Sequence, residues 1–245
     1  MPEQLWFTHI LNQLFAGPVT GALRALHIEP TYPQAPINNA VAMELVVFLF
    51  IIAFFLVVRS RLSVENPGGV QHVMELVHGF VSGQAREIIG HHSENYVPYL
   101  TALAIFILVC NLIGLIPGFE SPTGVTATVP LGCALVSFAY YNWQGLKHHG
   151  AWGYFKHFMG PMPAMAVLML PIEIVSHLAR LLSLTVRLWA NIFAGDLITL
   201  VFFSMIPIGV PIIFNGLHIV VAFLQAYVFM LLTAIYVAGA VAEEH

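Results

Sequence analysis

Glu173, His177, Arg180, Arg187, Asn191 and Asp196 all fall in one apolar stretch, residues 171–200. Carboxylates and imidazoles at membrane depth can take up and release protons, because desolvation and neighbouring charges move their pKa values. A guanidinium stays charged at any working pH. The first five residues step along the chain by four, three, seven and four. On a helix this places them within about 80° of one another, whereas Asp196 points about 140° round from Asn191. Glu173 and Asp196 would stand about 35 Å apart along the axis, with Arg187 between them.

A second polar face follows on the last apolar stretch, where Asn215, His218, Gln225 and Tyr236 align. A fold-back at Gly209 brings Asn215 and His218 to the depth of Asp196, and Gln225 with Phe229 to that of Arg187. Asp196 with His218 is therefore one candidate proton relay, and Glu173 with His177 is another. Arg187 cannot relay. It is suited to attract an ionised carboxylate, hold that group below its usual range and block leakage between the two clusters. No carboxylate of this sequence shares its depth, so the matching group is expected on another chain. Arg180 could snorkel to the surface or pair with Glu173.

These residues need elements to carry them. The 245-residue chain is 59% hydrophobic and 8% charged, against about a quarter charged in soluble domains. The expected class is an all-α integral membrane protein with about five membrane helices and one amphipathic interfacial helix. The last two membrane helices should form a long, strongly tilted hairpin. As a single membrane domain, 1–245, the chain divides into an outer N-terminal segment (1–38), span one (40–58), the interfacial helix (70–92), span two (96–116), span three (125–143) and two tilted helices (163–206 and 212–241). The 44 residues of 163–206 would reach about 66 Å as one helix, roughly twice a 30 Å hydrocarbon core, and hence the tilt. Within the N-terminal segment, Leu5, Trp6, Ile10, Leu11, Leu14 and Phe15 suggest a short interfacial helix stopped by Gly17-Pro18. Ser121-Pro122-Thr123-Gly124 reads as a turn between spans two and three.

Charge sets the topology. Arg59, Arg61, Arg86, Lys147 and Lys156 all fall in the loops after spans one and three, the intervening loop has no basic residue, and the N-terminal segment has only Arg24. The positive-inside rule then puts the N-terminus outside and the C-terminus in the cytoplasm. The first 30 residues lack the basic and apolar regions of a cleavable signal, so insertion is expected to rely on internal spans. Cys110 and Cys133 stand singly in apolar runs and read as small hydrophobes. His148-His149 has no further ligand at metal-binding spacing, so no metal site is expected. There is no basic cluster for nucleic acid, no GxxxxGK[ST] for nucleotide and no HExxH for an intramembrane metalloprotease. Repeated halves with interrupted helices, frequent in secondary transporters, are not evident.

Ser183 to Ile198, S-L-T-V-R-L-W-A-N-I-F-A-G-D-L-I, resembles the core of subunit a of the F-type ATP synthase, whose pattern is close to S-x-x-x-R-L-F-G-N-x-x-A-G-E/D-L. The resemblance extends to N-L-I-G-L-I-P-G at Asn111 to Gly118 with Pro122-Thr123, to L-Q-A-Y-V-F-M-L-L-T-A-I-Y at Leu224 to Tyr236, and to the final E-E-H, covering roughly residues 38–245. It departs at Trp189 and Ala190, where Phe-Gly is usual. The resemblance implies a bacterial-type, proton-translocating stator subunit in the plasma membrane, not an enzyme by itself and without a cofactor. Its implied partners are a rotating c-subunit ring, peripheral-stalk b subunits, the remaining synthase subunits and lipid. It further implies that Arg187 faces the ring carboxylates with Asn191 and Gln225 as polar neighbours. Asp196 and His218 would then belong to an outer half-channel, and Glu173 and Ser183 to an inner one.

Overall fold

The computed structural model describes residues 5–25, 32, 34–63, 65–90, 92–116, 118–159, 166–205 and 209–242. Among them the regular structure is helical: α1 (Trp6–Ala25), α2 (Asn39–Ser60), α3 (Gly69–Ile89), α4 (Val97–Ile113), α5 (Pro122–Val125), α6 (Thr128–Met159), α7 (Ala166–Met205) and α8 (Val210–Val241), with one 3-10 turn at Ser93–Asn95. Among the described residues, three helices are long and apolar enough to cross a membrane: Asn39–Ser60, Pro171–Met205 and Ile212–Val241. Val97–Ile113 is apolar but shorter. The chain is an all-α integral membrane protein. The expected residues 163–165 and 206, the His91 end of the interfacial helix, Pro117, Pro207 and the final E-E-H lie outside the described residues.

Local chemistry explains the helix ends. Asn38 caps α2, its side-chain oxygen accepting from Val41 N–H at 2.9 Å. Gly90, at φ +79°, closes α3 in a conformation that side chains avoid. Pro98 and Pro211 stand in the first turns of α4 and α8, where a missing N–H costs nothing. Gly209, at φ +92°, turns the chain into α8.

Two expectations need correcting. The first helix does not stop at Gly17-Pro18 but runs on to Ala25 with Pro18 inside. Proline there deprives only the Leu14 carbonyl of a partner, and Leu14 lies on the exposed side, where the carbonyl is not trapped in a dry core. Its other side is docked: Asn12 donates to Ile37 C=O at 2.9 Å and accepts from Ile37 N–H at 3.0 Å. Second, Ser121–Gly124, read as a turn between spans, is in part a short helix. Ser121 precedes the short helix α5, and Ser121, Pro122, Thr123 and Gly124 are all buried. Ser121 donates to Cys110 C=O at 3.1 Å, so the segment is stitched into the helix bundle instead of being left in solvent.

Packing converges on the last two helices. α6 and α7 lie against each other and both contact α8, while α4 and α3 pack on α8 and α5 packs on α7. One core joins α3, α4, α6 and α8 through Val81, Leu100, Tyr141, Met230 and Val237; another joins α4, α6, α7 and α8 through Ile107, Cys133, Leu188, Ile192 and Phe229. α3 therefore has a docked face as well as an exposed apolar one bearing Val73, Leu76 and Phe80. α7 is one continuous helix of 40 residues, about 60 Å long, with Pro171 near its start. α6 continues past Trp143 to a break at Gly150, φ +71°.

Candidate functional site

α7 carries two acid–imidazole pairs, one towards each end. Near its C-terminal end, Asp196 Oδ1 lies 3.5 Å from His218 Nδ1 on α8, with the imidazole buried and the carboxylate part-exposed. Two glycines make room for the pair. A Cβ at Gly124 would stand 2.7 Å from Asp196 Oδ2, and one at Gly195 would stand 3.0 Å from His218 Nδ1. The offset of Asp196 from the Arg187 face thus turns it towards α5 and α8. His218 Nε2 is buried without a hydrogen-bond partner among the described residues. His218 also lines a cleft with Asn191, Gly195, Phe214 and Leu217. A small polar molecule such as water, entering by that cleft, would satisfy the nitrogen. Asn215 is exposed and does not line this cleft.

Behind the pair runs a buried chain of polar groups that sequence reasoning read only as part of a family motif. Thr123 donates to Asn111 Oδ1 at 2.7 Å, the Ser121 and Thr123 hydroxyls are 2.9 Å apart, and Asn111 Nδ2 donates to Ala222 C=O at 3.4 Å. This chain ties α4, α5 and α8 together one helical turn beyond His218. Gly114 permits the approach, since a Cβ there would fall 2.7 Å from Ser121 Cβ.

The second pair lies about 35 Å away along the axis. Glu173 Oε1 is 3.3 Å from His177 Nε2, and the other ring nitrogen, Nδ1, is 2.6 Å from the hydroxyl of Tyr141 on α6. Tyr141 is nearly inaccessible and stacks on His177. Arg180 does not pair with Glu173 among the described residues. Its guanidinium lies 5.1 Å from the ring centre of Tyr236 on α8, a cation–π contact.

Arg187 occupies the interval between the pairs. It is exposed, and its Nη2 donates to Ser183 at 3.2 Å, one turn earlier on α7. No carboxylate meets it within ion-pair distance among the described residues. Asn191, one turn further on, is exposed on the same side, and Gln225 is nearly buried on α8. Neither is hydrogen-bonded to the guanidinium. Round the helix from Arg187, by roughly 60–140° at 100° per residue, Leu184, Leu188 and Ile192 are buried in the core. The structure therefore brings together Asp196 with His218, Glu173 with His177, and Arg187 with Ser183, and leaves Asn191 and Gln225 without a bond to the cation. Tyr141, Gly124 and Gly195 were not evident as site residues, because their part depends on contacts between helices.

The arrangement is chemically specific. Two groups able to exchange protons lie at different depths, and a permanent cation on an exposed helix face lies between them. Comparison with known proteins gives a consistent picture. The family described as ATP synthase A chain matches residues 41–238. An ATP synthase subunit a from Koribacter versatilis is 52% identical over 245 residues, the full length of both chains. One from Solibacter usitatus is 51% identical over 95% of this chain and all of the relative, and one from Geobacter sp. is 41% identical over 82% of this chain and 89% of the relative.

Proposed function

The chain belongs to the ATP synthase A chain family, and from that premise we propose that it is the proton-conducting stator subunit of a rotary F-type synthase. It works within the assembled synthase, beside a c-subunit ring and held by peripheral-stalk b subunits. Protons enter one half-channel through Asp196 and His218 and leave by another through Glu173, His177 and Ser183. Ring rotation is the only connection between the two. Arg187, with Asn191 and Gln225 beside it, faces the ring carboxylate. Its charge favours the ionised carboxylate, so a protonated carboxyl that arrives must release its proton before passing. The distribution of Lys and Arg supports an outer N-terminus and a cytoplasmic C-terminus in a bacterial plasma membrane. With that orientation the Asp196 side opens outwards and the Glu173 side inwards. The driving free energy is about 2.3 kcal/mol per proton for each 100 mV.

One observation carries this reading: Arg187 stands exposed on an otherwise largely apolar helix, without a carboxylate partner among the described residues, between two acid–imidazole pairs. An uncompensated cation at membrane depth costs roughly 2.5–3.5 kcal/mol even on the lenient insertion scale, and a partner's carboxylate would offset that cost. The test is Arg187→Ala in membrane vesicles carrying the assembled synthase. ATP-driven proton pumping is expected to vanish, while ATP hydrolysis by the detached soluble sector continues. Pumping at the unmodified rate would overturn the proposal.

A further inference from the structure

We infer that Tyr141 is a positioning residue of the inner route, its hydroxyl holding the His177 ring so that Nε2 faces Glu173. The inference rests on the proton-conducting reading and adds to it a residue on a third helix. A neutral imidazole has one donor nitrogen and one acceptor nitrogen. An ionised Glu173 can only accept, so Nε2, 3.3 Å away, must carry the hydrogen. Nδ1 is then the acceptor, and the Tyr141 hydroxyl at 2.6 Å donates to it. The opposite tautomer would set the Nε2 lone pair against the carboxylate and the Nδ1 hydrogen against the hydroxyl hydrogen, until the hydroxyl rotated away. The carboxylate therefore sets the tautomer, and the tyrosine bond holds the ring in the one orientation that presents Nε2 to it.

A hydroxyl suits this position better than a fixed donor. When His177 takes a second proton, Nδ1 becomes a donor and the tyrosine oxygen accepts from it after a simple rotation about its C–O bond. The imidazole can thus cycle between neutral and charged forms without turning. Packing reinforces the restraint. The Tyr141 and His177 rings lie 5.6 Å apart and 17° from parallel, and Phe138 meets the imidazole edge-on at 6.0 Å and 88°. Tyr141 is only 2% exposed, so bulk water does not compete for its hydroxyl. Among the described residues, the titratable and charged groups facing His177 include Glu173 and Arg180 on α7 and Tyr141 on α6, with Tyr236 of α8 packed against Tyr141 at 5.9 Å. Of the side chains in contact with His177, Tyr141 is the one that a Phe substitution alters by a single hydroxyl.

The test measures ATP-driven pumping as a function of pH in vesicles carrying the assembled synthase with Tyr141→Phe, His177→Leu, both together, or Arg187→Ala. Membrane levels of the chain are matched by immunoblot. Tyr141→Phe keeps the ring, so folding is preserved and the hydroxyl alone is removed. The expected result is a loss of about fivefold, the weight of one hydrogen bond. The pH profile should resemble that of His177→Leu, and the double variant should be no slower than His177→Leu alone. Pumping by Tyr141→Phe at the unmodified rate and pH profile would overturn the inference. A loss that multiplies on top of His177→Leu would overturn it equally, since the tyrosine would then act by packing. Normal pumping by Arg187→Ala would instead remove the proton-conducting reading on which the inference stands.

Discussion

Gly124 and Gly195 hold the Asp196–His218 pair by what they lack. Asp196 Oδ2 occupies the space that a side chain at position 124 would need. Gly124→Ala would force a Cβ to within 2.7 Å of that oxygen and 2.9 Å of Ile192 Cγ2. The carboxylate must then turn from His218, and pumping is expected to fall severalfold with the chain still in the membrane; an unaltered rate would show that the carboxylate has room elsewhere. The pair itself admits a sharper test. If Asp196 and His218 share a proton, exchanging them should retain more flux than either Asp196→Leu or His218→Leu, and an exchange no better than the single changes would separate them. Counting residues from Gly209 was enough to put these two at one depth, because two helices joined by a tight turn share an axial scale. The glycines were not legible that way. Gly124 sits in S-P-T-G, whose composition reads as a turn, and only the approach of α7 shows that its missing side chain is filled by Asp196. Tyr141 was hidden for a similar reason, since contact between α6 and α7 depends on how the helices rotate against each other.

Among the elements, α7 matters most, because a single helix sets the distance between the two acid–imidazole pairs. Its length was readable from an apolar run without turn residues. The path of α1 through Pro18 was not, because proline penalises a helix only as far as one carbonyl, and an exposed position absorbs that cost. The same holds for α5, whose stability comes from the buried Ser121–Thr123–Asn111 chain and not from its own propensity. Removing one member should therefore hurt more than surface substitution does. Thr123→Val leaves Asn111 Oδ1 without its donor and is expected to destabilise the α4–α5–α8 junction by about 1–3 kcal/mol, measured as a lower midpoint of thermal release of the chain from the purified synthase. The turn between α7 and α8 makes a parallel case. Gly209 at φ +92° is strained for any side chain, and Gly209→Ala should cost roughly 1–3 kcal/mol in the same measurement. An unchanged midpoint would mean that the turn re-forms around the new residue.

For the whole molecule, the distribution of exposed apolar side chains distinguishes what faces lipid from what faces protein. On α2, Phe48, Leu49, Phe50 and Leu56 are exposed and uninterrupted by polar groups, as a lipid contact requires. The exposed side of α7 is different, because Ser183, Arg187, Asn191 and Ala194 lie along it. Seven residues after Arg187, Ala194 shares its face. A cysteine at Ala194 should therefore form a disulfide with a cysteine introduced in the outer helix of a ring subunit, and one at Phe50 should not; the reverse pattern would put the ring on the wrong side of the chain. The buried row flanking Arg187 has a mechanical consequence. On the proposed reading, a ring carboxylate that passes the guanidinium would pull on it sideways, and the reaction to that pull must be borne by something that does not yield. Leu184, Leu188 and Ile192 press the buried flank of α7 into α4, α6 and α8, so the load spreads over a bundle instead of bending one helix. Loosening that bedding would leave every charge in place and still let the motor slip.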